Sequence, residues 1–102
     1  ELETLVRKNI PITLIVFSNA SYGWIKASQK TGYDARYFSV DFNRTDHARI
    51  AEAYGVKAWT VADPADLDAT IAAAIRHDGP SLIDVIAQPL EDSAVPVSQW
   101  MG

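Results

Sequence analysis

Three polar residues, Ser18, Asn19 and Ser21, follow an apolar run of the sequence and offer hydroxyls, a side-chain amide and backbone carbonyls to a ligand. The run spans 12–17 (ITLIVF), and Tyr22-Gly23-Trp24 comes next. Ligands of open α/β sheets bind beyond the carboxyl ends of the strands, where such a segment would lie. Asn, Ser and Gly are also common in ordinary turns. The residues alone leave two interpretations open: a simple strand-to-helix turn, or part of a ligand site.

The other residues that could do chemistry have structural explanations. His47 falls on a predicted helix face, and His77 lies in the last turn of another helix, where a cation suits the helix dipole. Asp63, Asp66 and Asp68 cluster at a predicted helix start, which capping explains without a metal. Cysteine is absent, so the chain has no thiolate nucleophile, disulfide or Cys-ligated zinc site. The segment after the apolar run is therefore the main candidate for chemistry.

The elements that must position this segment are helices and strands, which alternate along the chain. The pattern predicts strands over 12–17, 56–61 and 81–87, a helical remnant over 1–8, and helices over 22–29, 46–54 and 63–77. Alternation at these lengths indicates right-handed crossovers and an α/β fold, with a mostly parallel sheet and helices on both faces. The 12–17 run is uniformly apolar, which predicts a central strand covered on both sides.

Two helices have predicted buried faces. Their members are His47, Ile50, Ala51 and Tyr54 in the first, and Leu67, Ile71, Ala74 and Ile75 in the second. Asp46 precedes the first helix and Gly55 supplies its stop. Asp63 and Pro64 open the second helix as cap and first-turn proline.

Composition excludes several classes of partner. The chain has 102 residues, 48% of them hydrophobic, and a net charge of −4. Without a Lys/Arg cluster, a nucleic-acid or membrane partner is not expected. The absence of cysteine suits a cytoplasmic protein. The chain begins inside a helical pattern, without a methionine or a cap, so we expect a fragment of a longer protein.

Four segments together resemble the thiamine-diphosphate-dependent enzymes of the acetolactate synthase and 2-keto-acid decarboxylase type. The segment 15–23 (IVFSNASYG) is similar to the closing half of their cofactor motif, which begins with Gly-Asp-Gly and ends in an Asn-Asn pair. The flanking segments 1–11, 47–56 and 78–85 resemble the neighbouring helices and last strand. The resemblance implies that residues 1–88 are the C-terminal part of a diphosphate-binding domain whose Gly-Asp-Gly half is missing, and that 89–102 are a tail.

The resemblance also implies a ligand set. Asn19 would bind Mg²⁺ through its side-chain oxygen and Ser21 through its backbone carbonyl, which suits a cation that prefers hard oxygen ligands. Ser18 departs from the first Asn of the pair. The implied cofactor-binding residues are Asn19, Ser21, Tyr22, Gly23, Trp24 and Ile25, and the implied substrate-pocket residues are Trp24, Ile25 and Ser28. No residue of this chain is expected to be the catalytic base, because the activating Glu of the family lies in another domain.

The implied activity is decarboxylation of a 2-keto acid followed by carboligation, as in acetolactate synthase. Pyruvate-type decarboxylases carry a proton-transferring Glu at the position of Ile25, which disfavours that subclass, and Trp24 and Ile25 fit the bulky apolar residues of the synthases. Ser28 stands where many synthases have a large aromatic residue, which leaves the substrate open. The parent enzyme would be a homodimer or homotetramer, with FAD possible, and the fragment alone would be inactive. A decarboxylase of the same superfamily and a non-catalytic flavodoxin-like module remain alternatives.

Overall fold

The computed structural model describes residues 1–87, which fall into two compact units. The first unit comprises Glu1–Ser18 and Asp46–Ile86, and the second comprises Asn19–Thr45 together with Ala87. The predicted domain boundary at 88/89 and the predicted tail lie outside the described residues. The two units are described separately below.

The elements follow the predicted alternation of helix and strand. In chain order they are α1 (Leu2–Arg7), β1 (Thr13–Ser18), α2 (Gly23–Gly32), α3 (His47–Ala53), β2 (Lys57–Val61), a 3-10 turn (Pro64–Asp66), α4 (Leu67–Arg76) and β3 (Ser81–Ile86). All except α2 belong to the first unit. Its three strands are parallel and lie in the order β1-β3-β2.

Helices cover both faces of this sheet. On one face, Ala48 and Ala51 of α3 pack against Leu82 of β3, and Val6 of α1 packs against the same cluster. On the other face, Ala74 of α4 packs with Val61 and Ile83, flanked by partly buried apolar side chains. Burial of apolar side chains on both faces is the main source of stability for such a layer. The predicted α/β class, with a parallel sheet between helices, is confirmed.

The central strand is β3, so the prediction that the 12–17 run is central is wrong for the described residues. β1 lies at one end of the sheet and is covered on one face, where Leu14 and Val16 pack against the α3 cluster. On its other face Ile15 is 43% exposed and Phe17 is 68% exposed. An apolar run indicates that a strand is suited to burial, but the run does not indicate which neighbouring element buries the strand.

The helix faces differ from the prediction because small residues make the contact. Ile50, Tyr54 and Ile75 are exposed, at 44%, 50% and 69%. The buried positions of α3 are Ala48 and Ala51, whose short side chains let the helix backbone approach the sheet. The predicted contacts of Ala51, Leu67, Ile71 and Ala74 are confirmed.

The helix starts and stops agree with the sequence signals. The Asp46 carboxylate accepts a hydrogen bond from Arg49 N at 3.1 Å, and the Asp63 carboxylate accepts one from Ala65 N at 3.0 Å. Each bond satisfies a backbone donor that a helical turn leaves unpaired. Gly55 has φ +89°, a left-handed conformation that ends α3 and favours glycine.

Candidate functional site

The candidate site begins where β1 ends, in a turn built on Asn19. The next residue, Ala20, has φ +55°, and this left-handed conformation costs a non-glycine residue roughly 1–2 kcal/mol. The turn brings Asn19 Oδ1 within 3.3 Å of Ser21 N, which donates to it. Asn19 is half-buried. The side-chain oxygen of Asn19 and the backbone of Ser21 therefore lie close together, as the sequence resemblance requires of two ligands.

An antiparallel bridge pairs Ser21 with Asp41. Its hydrogen bonds run from Tyr22 N to Val40 O (2.7 Å) and from Phe42 N to Ala20 O (3.1 Å). Both bonds are made by the residues flanking the pair, so Ser21 and Asp41 form a non-hydrogen-bonded pair of the ladder. The N–H and C=O of Ser21 consequently point away from the 40–42 segment. The Ser21 carbonyl is thus left out of the ladder.

The Ser21 side chain is buried without a partner. Ser21 is 7% exposed, and its Oγ accepts or donates no hydrogen bond among the described residues. Leaving a buried hydroxyl unpaired costs about 1–3 kcal/mol. The turn therefore combines an amide oxygen, a carbonyl outside its ladder and an unsatisfied hydroxyl. These are neutral, hard oxygen atoms.

Helix α2 starts directly after this turn and carries the other predicted site residues. Tyr22 is its N-cap and is 59% exposed, and Gly23 is its first residue. Trp24 and Ile25 are 52% and 54% exposed, and Ser28 is half-buried. Ser28 is four residues after Trp24 and three after Ile25, a spacing that places the three on neighbouring positions of the helix surface. The structure thus brings the predicted pocket residues together on one exposed part of α2.

Four contacts that the sequence did not predict fasten the 37–42 segment to α2. Lys26 Nζ lies 2.8 Å from Asp41 Oδ1 and 4.9 Å from the centroid of the Tyr37 ring. Gln29 binds both backbone groups of Phe38, accepting from its N–H at 3.1 Å and donating to its carbonyl at 3.5 Å. The rings of Tyr22 and Phe42 meet edge to face at 5.3 Å. The only sequence signal was the spacing of positions 22, 26 and 29, which defines one stripe of a helix.

The first unit contains a separate polar cluster of Ser18, His47 and Asp84. Asp84 is fully buried in the central strand and accepts hydrogen bonds from Ser18 Oγ at 2.5 Å and His47 N at 3.2 Å. His47 Nδ1 lies 3.0 Å from Ser18 Oγ and 3.4 Å from Asp84 Oδ2. Because Ser18 gives its one hydrogen to Asp84, His47 Nδ1 must carry a hydrogen and donate it to Ser18 Oγ.

This cluster corrects the sequence-based interpretation of His47, which was expected to pack on a helix face. It also differs from a hydrolase triad, in which the histidine separates the serine from the carboxylate. Here the carboxylate binds the serine directly, so Ser18 is not activated as a nucleophile. Asp84 is a buried charge with hydrogen-bonding partners, which favours a structural role. Its one sequence signal was an acid inside an apolar strand.

Comparison with known proteins decides the family. Residues 1–85 match the model of the thiamine pyrophosphate enzyme, C-terminal TPP binding domain. The chain belongs to this family. Among its relatives, the probable acetolactate synthase large subunit of Methanococcus aeolicus is 33% identical over 87% of the chain and 15% of the relative. The acetolactate synthase of Bacillus subtilis is 34% identical (83% and 15%), and the pyruvate oxidase of Lactiplantibacillus plantarum is 32% identical (84% and 15%).

A solved structure has a similar fold. The thiamine diphosphate-dependent 4-hydroxybenzoylformate decarboxylase of Rhodococcus jostii RHA1 is 27% identical, with a TM-score of 0.77 over 89% of this chain and 17% of that one. The predicted resemblance is confirmed, and family membership favours the enzyme interpretation over a flavodoxin-like module. The chain spans about 15% of the length of these curated relatives. Within the described residues, no helix is long and apolar enough to cross a membrane.

Proposed function

We propose that this chain supplies part of a Mg²⁺–thiamine diphosphate site, with Asn19 and Ser21 as its metal ligands. The observation that carries the proposal is the bridge geometry, which leaves the Ser21 carbonyl out of the ladder. The N–H of the same residue lies 3.3 Å from Asn19 Oδ1. The oxygen atoms of this turn fit Mg²⁺, which is usually held by few protein groups together with phosphate oxygens. Asn19 Oδ1 would exchange its 3.3 Å contact with Ser21 N for the cation.

The ligand set in the described part of the chain is incomplete. No group of three His, Cys, Asp or Glu side chains is placed to hold a metal among residues 1–87. Asn19 and Ser21 are neutral, so a carboxylate from another segment is needed to balance the charge. The Gly-Asp-Gly half of the family motif would provide it. We expect this chain alone to bind the cofactor weakly.

The start of α2 would hold the organic part of the cofactor. Gly23 has no side chain and allows close approach of a ligand to the backbone, and the first N–H groups of the helix favour an anion. Trp24 and Ile25 would exclude water from the thiazolium, and Ser28 would line the substrate pocket beside them. When bound, thiamine diphosphate supplies the electron sink for decarboxylation.

The proposed reaction is decarboxylation of a 2-keto acid and carboligation of the product to a second 2-keto acid. Sequence relatives named as acetolactate synthases support it, and so does Ile25, whose side chain cannot donate or accept a proton. Decarboxylation without carboligation is the second candidate, because the similar solved structure is named a decarboxylase.

Product analysis with the full-length enzyme that contains this chain tests both proposals. With pyruvate, Mg²⁺ and thiamine diphosphate, carboligation gives acetolactate and simple decarboxylation gives acetaldehyde. Asn19→Ala should raise the Mg²⁺ concentration for half-maximal activity at least tenfold, the lower end of the effect of groups that only support a metal ligand. The matched control is Asn43→Ala, which changes an exposed residue of the second unit. Equal Mg²⁺ dependence of the two variants would refute the role of Asn19.

Three further expectations concern the whole enzyme. A homodimer or homotetramer is expected, and sedimentation measures it. FAD is possible, and its visible absorbance in the purified enzyme would reveal it. A cytoplasmic location stays a prediction of the sequence, which cell fractionation tests.

A further inference from the structure

The backbone of the proposed ligand turn is held by a second segment of the chain. Residues 20–22 pair with residues 40–42 through the hydrogen bonds Tyr22 N to Val40 O and Phe42 N to Ala20 O. These two bonds fix the direction of the Ser21 carbonyl, because a strand-like pair turns its central residue away from the partner. Displacing 40–42 would therefore release the proposed ligand.

Asp41 takes part both in this backbone pairing and in an ion pair. Its backbone lies opposite Ser21, and its carboxylate binds Lys26 Nζ at 2.8 Å. The Lys26 side chain is 14% exposed and that of Asp41 is 62% exposed, so the lysine end of the pair is shielded from water. Lys26 also lies over the Tyr37 ring. A shielded end makes this pair stronger than a fully exposed one.

Lys26 in turn belongs to the helix that begins at the ligand turn. The stripe of positions 22, 26 and 29 holds the 37–42 segment, whereas Trp24 and Ser28 lie on a different side of α2 and Ile25 lies between the two. The Lys26–Asp41 pair therefore joins the start of α2, the 40–42 segment and the ligand turn into one arrangement.

We propose that Asp41 and Lys26 are positioning residues that hold the Ser21 carbonyl in its metal-binding direction. The inference rests on the proposed function, since it concerns the same Mg²⁺–thiamine diphosphate site. Neither residue contacts the cation. Loss of their pairing lets residues 40–42 separate from the turn, and the enzyme then binds Mg²⁺ less tightly.

A calorimetric titration of Mg²⁺ into the full-length enzyme with saturating thiamine diphosphate tests this inference. Asp41→Asn keeps the size of the side chain and removes its charge, and Lys26→Met keeps the aliphatic stem. Each should weaken Mg²⁺ binding about fivefold, the upper end for a partly exposed ion pair. Reversing the pair, with K26E and D41K together, should restore at least half of the loss.

Asp34→Asn is the matched control. Asp34 lies in the same exposed loop and has φ +53°, a conformation that Asn tolerates. The Asp34→Asn substitution removes one negative charge without changing the Lys26–Asp41 pair, so the Mg²⁺ affinity of this variant should equal that of the wild type. The melting temperature of the cofactor-free enzyme is recorded for every variant.

The outcomes separate the two proposals. A wild-type enzyme that binds no Mg²⁺–thiamine diphosphate would overturn the proposed function and this inference with it. Wild-type binding with an unchanged Asp41→Asn affinity would overturn the inference alone. A lower melting temperature with unchanged Mg²⁺ affinity would also overturn it, because that result describes a purely structural pair. Weaker binding in both single variants, restored by the reversal, supports it.

Discussion

Replacing Asp84 by Asn should loosen the sheet at its centre. The carboxylate accepts hydrogen bonds from Ser18 Oγ and His47 N, with His47 Nδ1 beside it, and it is fully buried. An amide presents only one oxygen, so one of these donors would face an NH₂ group instead. A hydrogen bond to a charged acceptor contributes about 1.5–3 kcal/mol. Allowing for the smaller cost of burying a neutral group, we expect a loss of about 3 kcal/mol.

Hydrogen exchange measured residue by residue can detect this loss. A change of about 3 kcal/mol in the free energy of opening corresponds to roughly 100-fold faster exchange. The affected amides should be those of β3 and the N–H of His47, which donates to Asp84. Asp78→Asn is the control, because this substitution makes the same chemical change at an exposed position of the same unit.

The pattern of exchange decides whether the hydrogen-bond reasoning is correct. If Asp84→Asn and Asp78→Asn exchange alike in β3, the carboxylate is not a stabilising acceptor and the reasoning fails. His47→Phe should remove part of the same stabilisation. In the double variant with Asp84→Asn, the two losses should be less than additive, because the residues share one network.

Three smaller predictions follow from the described residues, each measured by urea unfolding. Gly55→Ala should destabilise the protein by about 1–2 kcal/mol, because Gly55 has φ +89°. Gly32→Ala should stabilise it by about 0.4–1 kcal/mol, because no atom lies within 4 Å of the added carbon. Equal effects of the two substitutions would contradict the backbone argument. Asp46→Ala should cost about 1 kcal/mol through loss of its bond to Arg49 N, and Asp46→Asn should retain most of it; a neutral Ala variant would show that the cap is not needed. Ile83→Ala should lower the free energy of unfolding by about 2–5 kcal/mol, because Ile83 is fully buried. Phe17→Ala should lower it by less than about 1 kcal/mol, because Phe17 is 68% exposed. Similar losses would mean that this face of β1 is covered.

Local signals predicted the elements well because each rests on neighbouring residues. The cap at Asp63 and the stop at Gly55 are properties of a few consecutive residues, and both are present. The position of Asn19 after a strand follows from an apolar run that ends in polar residues. These features need no knowledge of distant contacts.

Long-range contacts were not predictable in the same way. The position of β1 depends on β3, which is far away in the sequence, and nothing in 12–17 encodes the order of strands. The Lys26–Asp41 pair and the Asp84 cluster also join distant segments. Ala48 was overlooked because a small side chain carries little weight in an apolar pattern, although it lies in the core. The proposed roles of Asn19, Ser21 and the residues of α2 stay predictions.

The strand order has a consequence for how the chain folds. In the described residues, β1 and β2 each pair only with β3, the last strand, and Thr13 pairs with Ser81. Neither of these two strand pairs can form until residues 81–86 have left the ribosome. Closing the long loop between β1 and β3 is also slow, because its entropy is lost before the contacts form. Synthesis of β3 is therefore the event that allows β1 and β2 to be joined, and a ribosome stalled before residue 81 would carry a chain in which neither of these two strand pairs exists.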